Sequence, residues 1–362
     1  MSVIVTIFAG CPRDQQPAQP TSADSSPATR ASVTLRVLVV NEPPLVEAIN
    51  RLRGEWAERS GGELNVQSAT WADISQAKSL DADLIIFPSR YLGELCTRDW
   101  LRPVRASVLD DEELNAADFF PLVRNEVIRW GGQTMALPLG VDDSAFTPHA
   151  GPKSIEFLSL AAPGAVSNER LGILFDAQTM KPRITEQAFV DALTKLPLLP
   201  KERPGEISSS SELQIPILGY NDRIAAVTSS SHNAASAFQL LAWLARADTT
   251  AQLARVNAHQ LPPRRSLASK AALWPDKDPQ EQAELGKALT ARLSEQQFVL
   301  VPRIPSIDEY LTALHDAVKA VIEDKRAAAT ALQKAADQWE QITTKLGRDK
   351  QRAAYLAHLG IE

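Results

Sequence analysis

The sequence predicts an α/β protein with a helical C-terminal end, and three observations carry that reading. A strand–helix–strand–helix–strand succession fills residues 35–97, and so short a succession builds a parallel, right-handed sheet covered by helices. The composition is 44% hydrophobic and 23% charged over 362 residues, enough to bury a sizeable core without disulfide or metal staples. Two amphipathic helical patterns close the chain after residue 305. The length corresponds to about two domains.

The elements follow in order. LRVLVV, residues 35–40, is a near-continuous β-branched run, as a strand buried on both faces requires. Asn41, Glu42, Pro43 and Pro44 form a loop. Leu45, Ala48, Ile49, Leu52 and Trp56 then share one helical face, closed by Gly61 and Gly62. ELNVQSA reads as the second strand, ADISQAKS as a helix, DADLIIFP as the third strand and RYLGELCTRDW as another helix. GQTMALPLGVDD reads as a strand leading into a crossing. Residues 144–170 show no clear periodicity, RITEQAFVDALTKL is a helix and residues 197–211 are a loop. LQIPILGYNDRIAAVTSSS holds strands around a turn. The helix from Asn233 turns Phe238, Leu241, Trp243 and Leu244 inward, with Ser and Asn residues ahead of it as N-cap chemistry. In the last helices, Ile307, Leu311, Leu314, Val318 and Ile322 form one apolar face, and Leu332, Ala335, Trp339 and Ile342 another.

Several function classes fall away. A net charge of −6 does not supply the basic stripe that engages phosphates, so no nucleic-acid partner is expected. No GxGxxG follows the first strand and no GxxxxGK[ST] occurs, so no nucleotide motif is visible. The two cysteines, Cys11 and Cys96, do not have metal-ligand spacing, and Cys96 reads as a small buried hydrophobe within a helix. His149, His232, His259, His315 and His358 are scattered, with no HxH or HExxH, so neither a metal nor a cofactor is expected. No apolar run reaches the 18 residues of a membrane span.

Four stretches carry candidate chemistry. Asn41 and Glu42 follow the first strand, and Ser89, Arg90 and Tyr91 follow the third. Ligands of open α/β sheets bind at such strand ends, so these residues suit a small polar molecule. Asp142 and Asp143 read as a solvated turn, or Asp142 alone as a ligand contact, because adjacent residues on an extended chain point opposite ways. Ser229, Ser230, Ser231 and His232 lack a GxSxG elbow and read as helix capping rather than as a nucleophile. LPPRRSL, residues 261–267, reads as a basic surface loop.

With these residues in place, ADLIIFPSRYLGELCTRDWLRPV resembles the early segment of family 1 extracellular solute-binding proteins of bacterial ABC transporters, including a Trp100–Leu101–x–Pro103 turn. LPLGVD resembles their first hinge crossing and ILGYNDRIAAVTSSSHNAASAFQLLAWLA their return crossing. LPPRRSL is similar to their following loop, and VPRIPSIDEYLTALHDAVKAV to their C-terminal helices. The resemblance implies a two-lobed, type II periplasmic-binding-protein clamp over residues 35–359. Lobe 1 would comprise residues 35–138 plus 222–300, and lobe 2 residues 139–221 plus 301–362. The ligand-binding residues it implies are Asn41, Glu42, Ser89, Arg90, Tyr91, Asp142, Tyr220, Asn221 and Tyr310. Rings that stack on sugar faces and carboxylates that accept hydroxyl hydrogens suit a carbohydrate. The family's Tyr-x-x-Asp-Leu-Phe and Pro-Pro-x-Thr-Trp elements do not occur after residue 141, which implies a shortened lobe 2.

The N-terminus completes the reading. Residues 2–10 form an apolar segment without a positive start, and Phe8–Ala9–Gly10–Cys11 resembles a lipobox. Residues 1–11 would be a signal remnant with Cys11 lipidated, and the Pro-, Ser- and Gln-rich residues 12–34 a flexible tether. The function implied is the solute-binding component of an ABC importer. It would be a monomer without enzymatic activity, anchored by lipid in the periplasm or at the cell surface, and it would serve permease subunits. A degenerate module with a structural or sensing role is the alternative, and a hydrolase using the cleft acids the third reading.

Overall fold

The computed structural model describes residues 33–143, 152–165, 172–198, 215–257, 259–270 and 278–361. The expected signal remnant, Cys11 and all but the last two residues of the tether lie outside them, as do His149 and most of the loop at 197–211.

The first strand, β1 (Thr34–Val40), starts one residue earlier than expected, inside the segment read as tether. It is followed by α1 (Pro43–Arg51), α2 (Arg53–Ser60), β2 (Glu63–Ala69), α3 (Trp71–Gln76), β3 (Leu84–Pro88) and α4 (Leu92–Thr97). β1 pairs in parallel with β2 (Val37 opposite Val66) and with β3 (Val39 opposite Ile86). The crossing segment supplies two short strands, β4 (Leu137–Pro138) and β5 (Val141–Asp142). The return supplies β6 (Ile217–Leu218) and β7 (Arg223–Val227).

The sheet is therefore mixed, in the order β2–β1–β3–β7–β4, with β7 antiparallel to both β3 and β4. A wholly parallel sheet would need a helical crossover into each strand. The chain instead reaches β7 from the opposite direction after its excursion through residues 143–222, so the fourth strand is reversed. The period-two alternation of β3 places Leu84 and Ile86 in one core with Leu45, Ile49, Trp56 and Phe238. It places Ile85 and Phe87 in a second core with Tyr91, Leu92 and Leu95. That two-sided burial is why β3 reads as a continuous apolar run, while β2, buried on one face, alternates.

Residues 153–165, for which the sequence shows no period, form a helix, α5 (Lys153–Ala165). Ile155, Phe157, Leu158, Ala161 and Ala162 are all buried together with Ser154, Glu156 and Ser159. With Ser154 to Ser159 buried in succession, the centre of the helix shows no amphipathic stripe, and only Lys153, Pro163 and Gly164 near its ends are exposed. It packs on α6 (Gln187–Lys195). The remaining elements are α7 (Ala234–Leu244), α8 (Ala247–Ala254), β8 (Gln260–Leu261), α9 (Pro279–Arg292), β9 (Val299–Leu300), α10 (Ile307–Ile322), α11 (Ala328–Leu346) and α12 (Arg348–His358). β6 and β9 pair in parallel, and β5 and β8 antiparallel. Residues 33–362 form one compact unit. Of residues 141–176, on which the shortening of lobe 2 was expected, 144–151 and 166–171 lie outside the described residues and 153–165 form α5.

Three local expectations are corrected. Asn233 stands at the N-cap of α7 but its side chain caps nothing; its backbone N–H donates to Ser231 Oγ at 3.2 Å. The Ser run serves the sheet instead. Ser230 Oγ donates to the Leu80 carbonyl at 2.6 Å and Ser231 Oγ to Asp83 at 2.8 Å, fixing the end of β7 on the turn before β3. LPPRRSL is not wholly a surface loop. Arg264 is 1% exposed, and its guanidinium donates to the carbonyls of Leu114, Asn115 and Ala245, satisfying backbone oxygens that would otherwise be buried unpaired.

Candidate functional site

A cleft of about 310 Å³ opens at the carboxyl ends of β1 and β3. Its floor is apolar, from Val40, Ile86 and Phe87. Its walls are polar: Asn41, Glu42, Arg90, Asp142, Asp143, Asn221, Arg223, Asn257, His259 and Gln260.

Each wall residue is held by a partner. Asn41 takes a left-handed backbone (φ 58°), and its side-chain oxygen accepts from the Trp71 N–H at 2.8 Å, fastening the end of β1 to the start of α3. The Glu42 carboxylate receives two nitrogens of the buried Arg223 guanidinium, Nε at 2.8 Å, and the Asn257 amide at 3.2 Å. Such a fork on a carboxylate fixes both planes. Arg90 donates to Asp308 at 2.9 Å, to the Tyr91 hydroxyl at 2.7 Å, to the Tyr220 carbonyl at 3.3 Å and to the Asn221 side chain. The guanidinium lies 4.3 Å from the Tyr91 ring centroid and 5.2 Å from that of Tyr220. Tyr91 stacks in turn on Trp71 at 3.7 Å. Burial holds the phenols of Tyr91 and Tyr220 above their ordinary range, so both stay neutral hydrogen-bonding groups.

The rim is set by the antiparallel pair β5–β8, in which Asp142 faces Gln260. Gln260 donates to the Asn221 carbonyl at 2.9 Å. His259 Nδ1 lies 2.9 Å from Asp143 Oδ2, and this hydrogen bond, with the charges of Asp143 and Asp142, raises the imidazole pKa. The cleft thus offers hydrogen-bond donors and acceptors in fixed positions, with its charges set off against one another. Such a wall can replace the water around a neutral polyhydroxyl molecule. Among the described residues no group of three or more His, Cys, Asp or Glu could hold a metal ion.

No protein-family model matches the sequence, and no curated protein matches it. Solved structures do. The sugar-binding protein MalE of Xanthomonas citri aligns over 87% of this chain and 98% of its own, with a TM-score of 0.62 at 15% identity. The maltose-maltodextrin binding protein of Alicyclobacillus acidocaldarius aligns over 85% and 100%, with a TM-score of 0.58 at 14% identity. An ABC transporter solute-binding protein of Agrobacterium radiobacter, solved with ribitol, aligns over 86% and 98%, with a TM-score of 0.55 at 16% identity. The chain has the two-lobed periplasmic-binding-protein fold.

In this binding-protein fold, five of the nine residues expected at the ligand line the cleft: Asn41, Glu42, Arg90, Asp142 and Asn221. The other four do not. Ser89 is fully buried, its hydroxyl donating to Asp222 at 3.0 Å. Tyr91 and Tyr220 stand behind the wall and carry Arg90. Tyr310 sits in the helical core, where its hydroxyl bonds Thr343 at 3.0 Å and its ring meets Phe175 and Trp339. An amphipathic helix shows which face is buried but not whether that face meets a cleft. Asp143 joins Asp142 at the cleft, as the residue that follows the end of β5. Arg223, Asn257, His259 and Gln260 carry no sequence signal of their own. They reach the cleft through the pairing of β5 with β8 and of β7 with β4.

Proposed function

We propose that this chain is the extracytoplasmic solute-binding component of an ABC importer, holding a carbohydrate or polyol in the strand-end cleft and releasing it unchanged to permease subunits. The observation that carries the proposal is the cleft, an apolar floor beneath a ring of pre-oriented amide, carboxylate and guanidinium groups in a binding-protein fold. The proteins sharing that fold include a maltose-maltodextrin binding protein and a ribitol complex. Lobe 1 takes in 35–138 plus 222–300 and lobe 2 takes in 139–221 plus 301–362, in keeping with a cleft bounded by β5, the turn before β7 and the loop before β8. Cys11 is lipidated, and the protein works as a monomer tethered to the membrane in the periplasm or at the cell surface.

A thermal-shift panel of maltose, maltotetraose, ribitol and D-mannitol tests the proposal. A ligand that binds only the native state at one hundred times its Kd adds about 2.7 kcal/mol of stability. At least one saturable rise in Tm, lost in Asp142→Asn, is expected. A flat panel overturns the carrier reading in favour of a structural or sensing module, and turnover of a glycoside overturns it in favour of a hydrolase. Mass spectrometry of the membrane fraction tests the anchor: an unmodified Cys11 thiol counts against it.

A further inference from the structure

We propose that Asp222 is the positioning residue of this cleft: one buried carboxylate sets the three segments that present Arg90, Asp142 and Asn221 to the ligand. Asp222 is 1% exposed. Its Oδ1 accepts from the Asp142 N–H at 3.1 Å, at the crossing strand β5. Its Oδ2 accepts from the Gly219 N–H at 2.7 Å and from Ser89 Oγ at 3.0 Å. Its carbonyl accepts from the Ser89 N–H at 2.8 Å. The three donors belong to the end of β3, to β5 and to the turn before β7.

The consequences for the cleft are direct. Ser89 precedes Arg90, so the bond to Asp222 sets where the guanidinium leaves the strand. The Asp142 N–H is tied, so its side chain departs from a fixed point. The Gly219 N–H closes the 219–222 turn from which Asn221 faces the cleft, at a glycine whose left-handed backbone (φ 79°) suits so tight a turn. Arg90 ties the end of β3 to the turn at 220–221 but makes no bond to β5. Asp222 does, and it lies beneath the cleft wall, where it positions without touching ligand.

All three side-chain bonds come from donors, so the arrangement suits the ionised carboxylate, an acceptor only. A proton on either oxygen, or an amide in its place, would set a donor against a donor. Burial raises the Asp222 pKa, while the bonds from Asp142, Gly219 and Ser89 and the charge of the buried Arg303 pull it back. Asp142, at β5, is the other titratable side chain whose own backbone contacts it.

The inference rests on the reading of the cleft as a solute site, and the experiment separates the two. Asp222→Asn and Ser89→Ala are made in the full chain. Amide hydrogen exchange is followed at Asp142 and Gly219 without ligand, and affinity for maltose, ribitol and D-mannitol is followed from pH 4 to 8. Faster exchange at both amides and an affinity loss of about tenfold or more are expected in Asp222→Asn. Ser89→Ala removes one donor from the ionised form, so the acid limb of binding moves to higher pH. Far-UV circular dichroism at each pH restricts the limb to folded protein, so that a loss of fold stability is not read as a shift of the limb. If Asp222→Asn does not fold, Ser89→Ala decides by the same two readouts. Unchanged protection at both amides together with an unmoved acid limb overturns the inference. A wild-type protein that binds none of the three probes, while the variants still free the two amides, overturns the carrier reading and leaves the positioning role standing.

Discussion

Glu42 illustrates how little of a residue's job is local. By position it is loop chemistry after a strand; in the fold it is the counter-ion of Arg223, which is 2% exposed. Removing one member of a buried pair strands the other charge, at about 3 kcal/mol or more. Glu42→Gln should therefore lower the unfolding free energy extrapolated from urea melts by that much. A loss below about 1 kcal/mol would show the pair to be dispensable. His259 offers a second test. Its bond to Asp143 raises its pKa, so its charged form persists at higher pH than in an unfolded chain. The stabilising pair is fully present below the unfolded value and is lost as pH rises through the folded one. An NMR titration should place His259 above about 6.5, with Asp143→Asn returning it toward that value. An imidazole that titrates identically in both proteins would remove Asp143 as the cause.

At the scale of elements, α4 shows a packing constraint that pattern reading does not contain. A Cβ on Gly93 would occupy the space of the Arg303 carbonyl oxygen and the Trp130 ring. The helix approaches the strap at 299–306 too closely for any side chain there. Gly93→Ala should cost about 3 kcal/mol, at the upper end of overpacking, with a visible drop in Tm; an unaltered Tm would mean that the strap yields freely. Helices with a dry face and a wet face, α1 and α10, were readable from their spacing. α5 was not, because unbroken burial from Ser154 to Ser159 erases the stripe that spacing detects. β3 was readable for the complementary reason, since burial on both faces makes it a continuous apolar run, whereas β2 was readable from its alternation. The direction of β7 was not readable, since a short apolar run looks alike in either direction.

Across the whole molecule, Arg303 and His358 join the 299–306 strap to the last helix. Arg303 is fully buried, its pKa lowered to about 10 by desolvation, and it donates to the Val127 carbonyl at 2.6 Å and to His358 Nδ1 at 3.3 Å. Burial, then the adjacent guanidinium, hold His358 well below its ordinary pKa. The unfolded chain takes up a proton below about pH 6.5 that the folded chain refuses, so stability falls on acidification by up to about 1.4 kcal/mol per pH unit until the folded pKa is reached. His358→Gln, which keeps an acceptor for Arg303, should flatten that slope in urea melts at pH 5 and 6.5. An equally steep slope in the variant would assign it to other groups.

The sequence by itself determined the α/β class, the strands whose ends form the cleft and the two-lobed likeness, because these depend on burial patterns and on their order along the chain. It also brought forward Asn41, Glu42, Arg90 and Asp142, since each stands at or within two residues of a strand end, while Asn221 came from the family likeness. Only the tertiary structure decided that Tyr310 is core, that Ser89 is a buried donor and that Arg223, Asn257, His259 and Gln260 join the wall. It alone brought Asp222, 133 residues from Ser89, beneath them all. Contacts across that separation arise from strand pairing and chain reversal, and the residues that make them have no local periodicity to announce them.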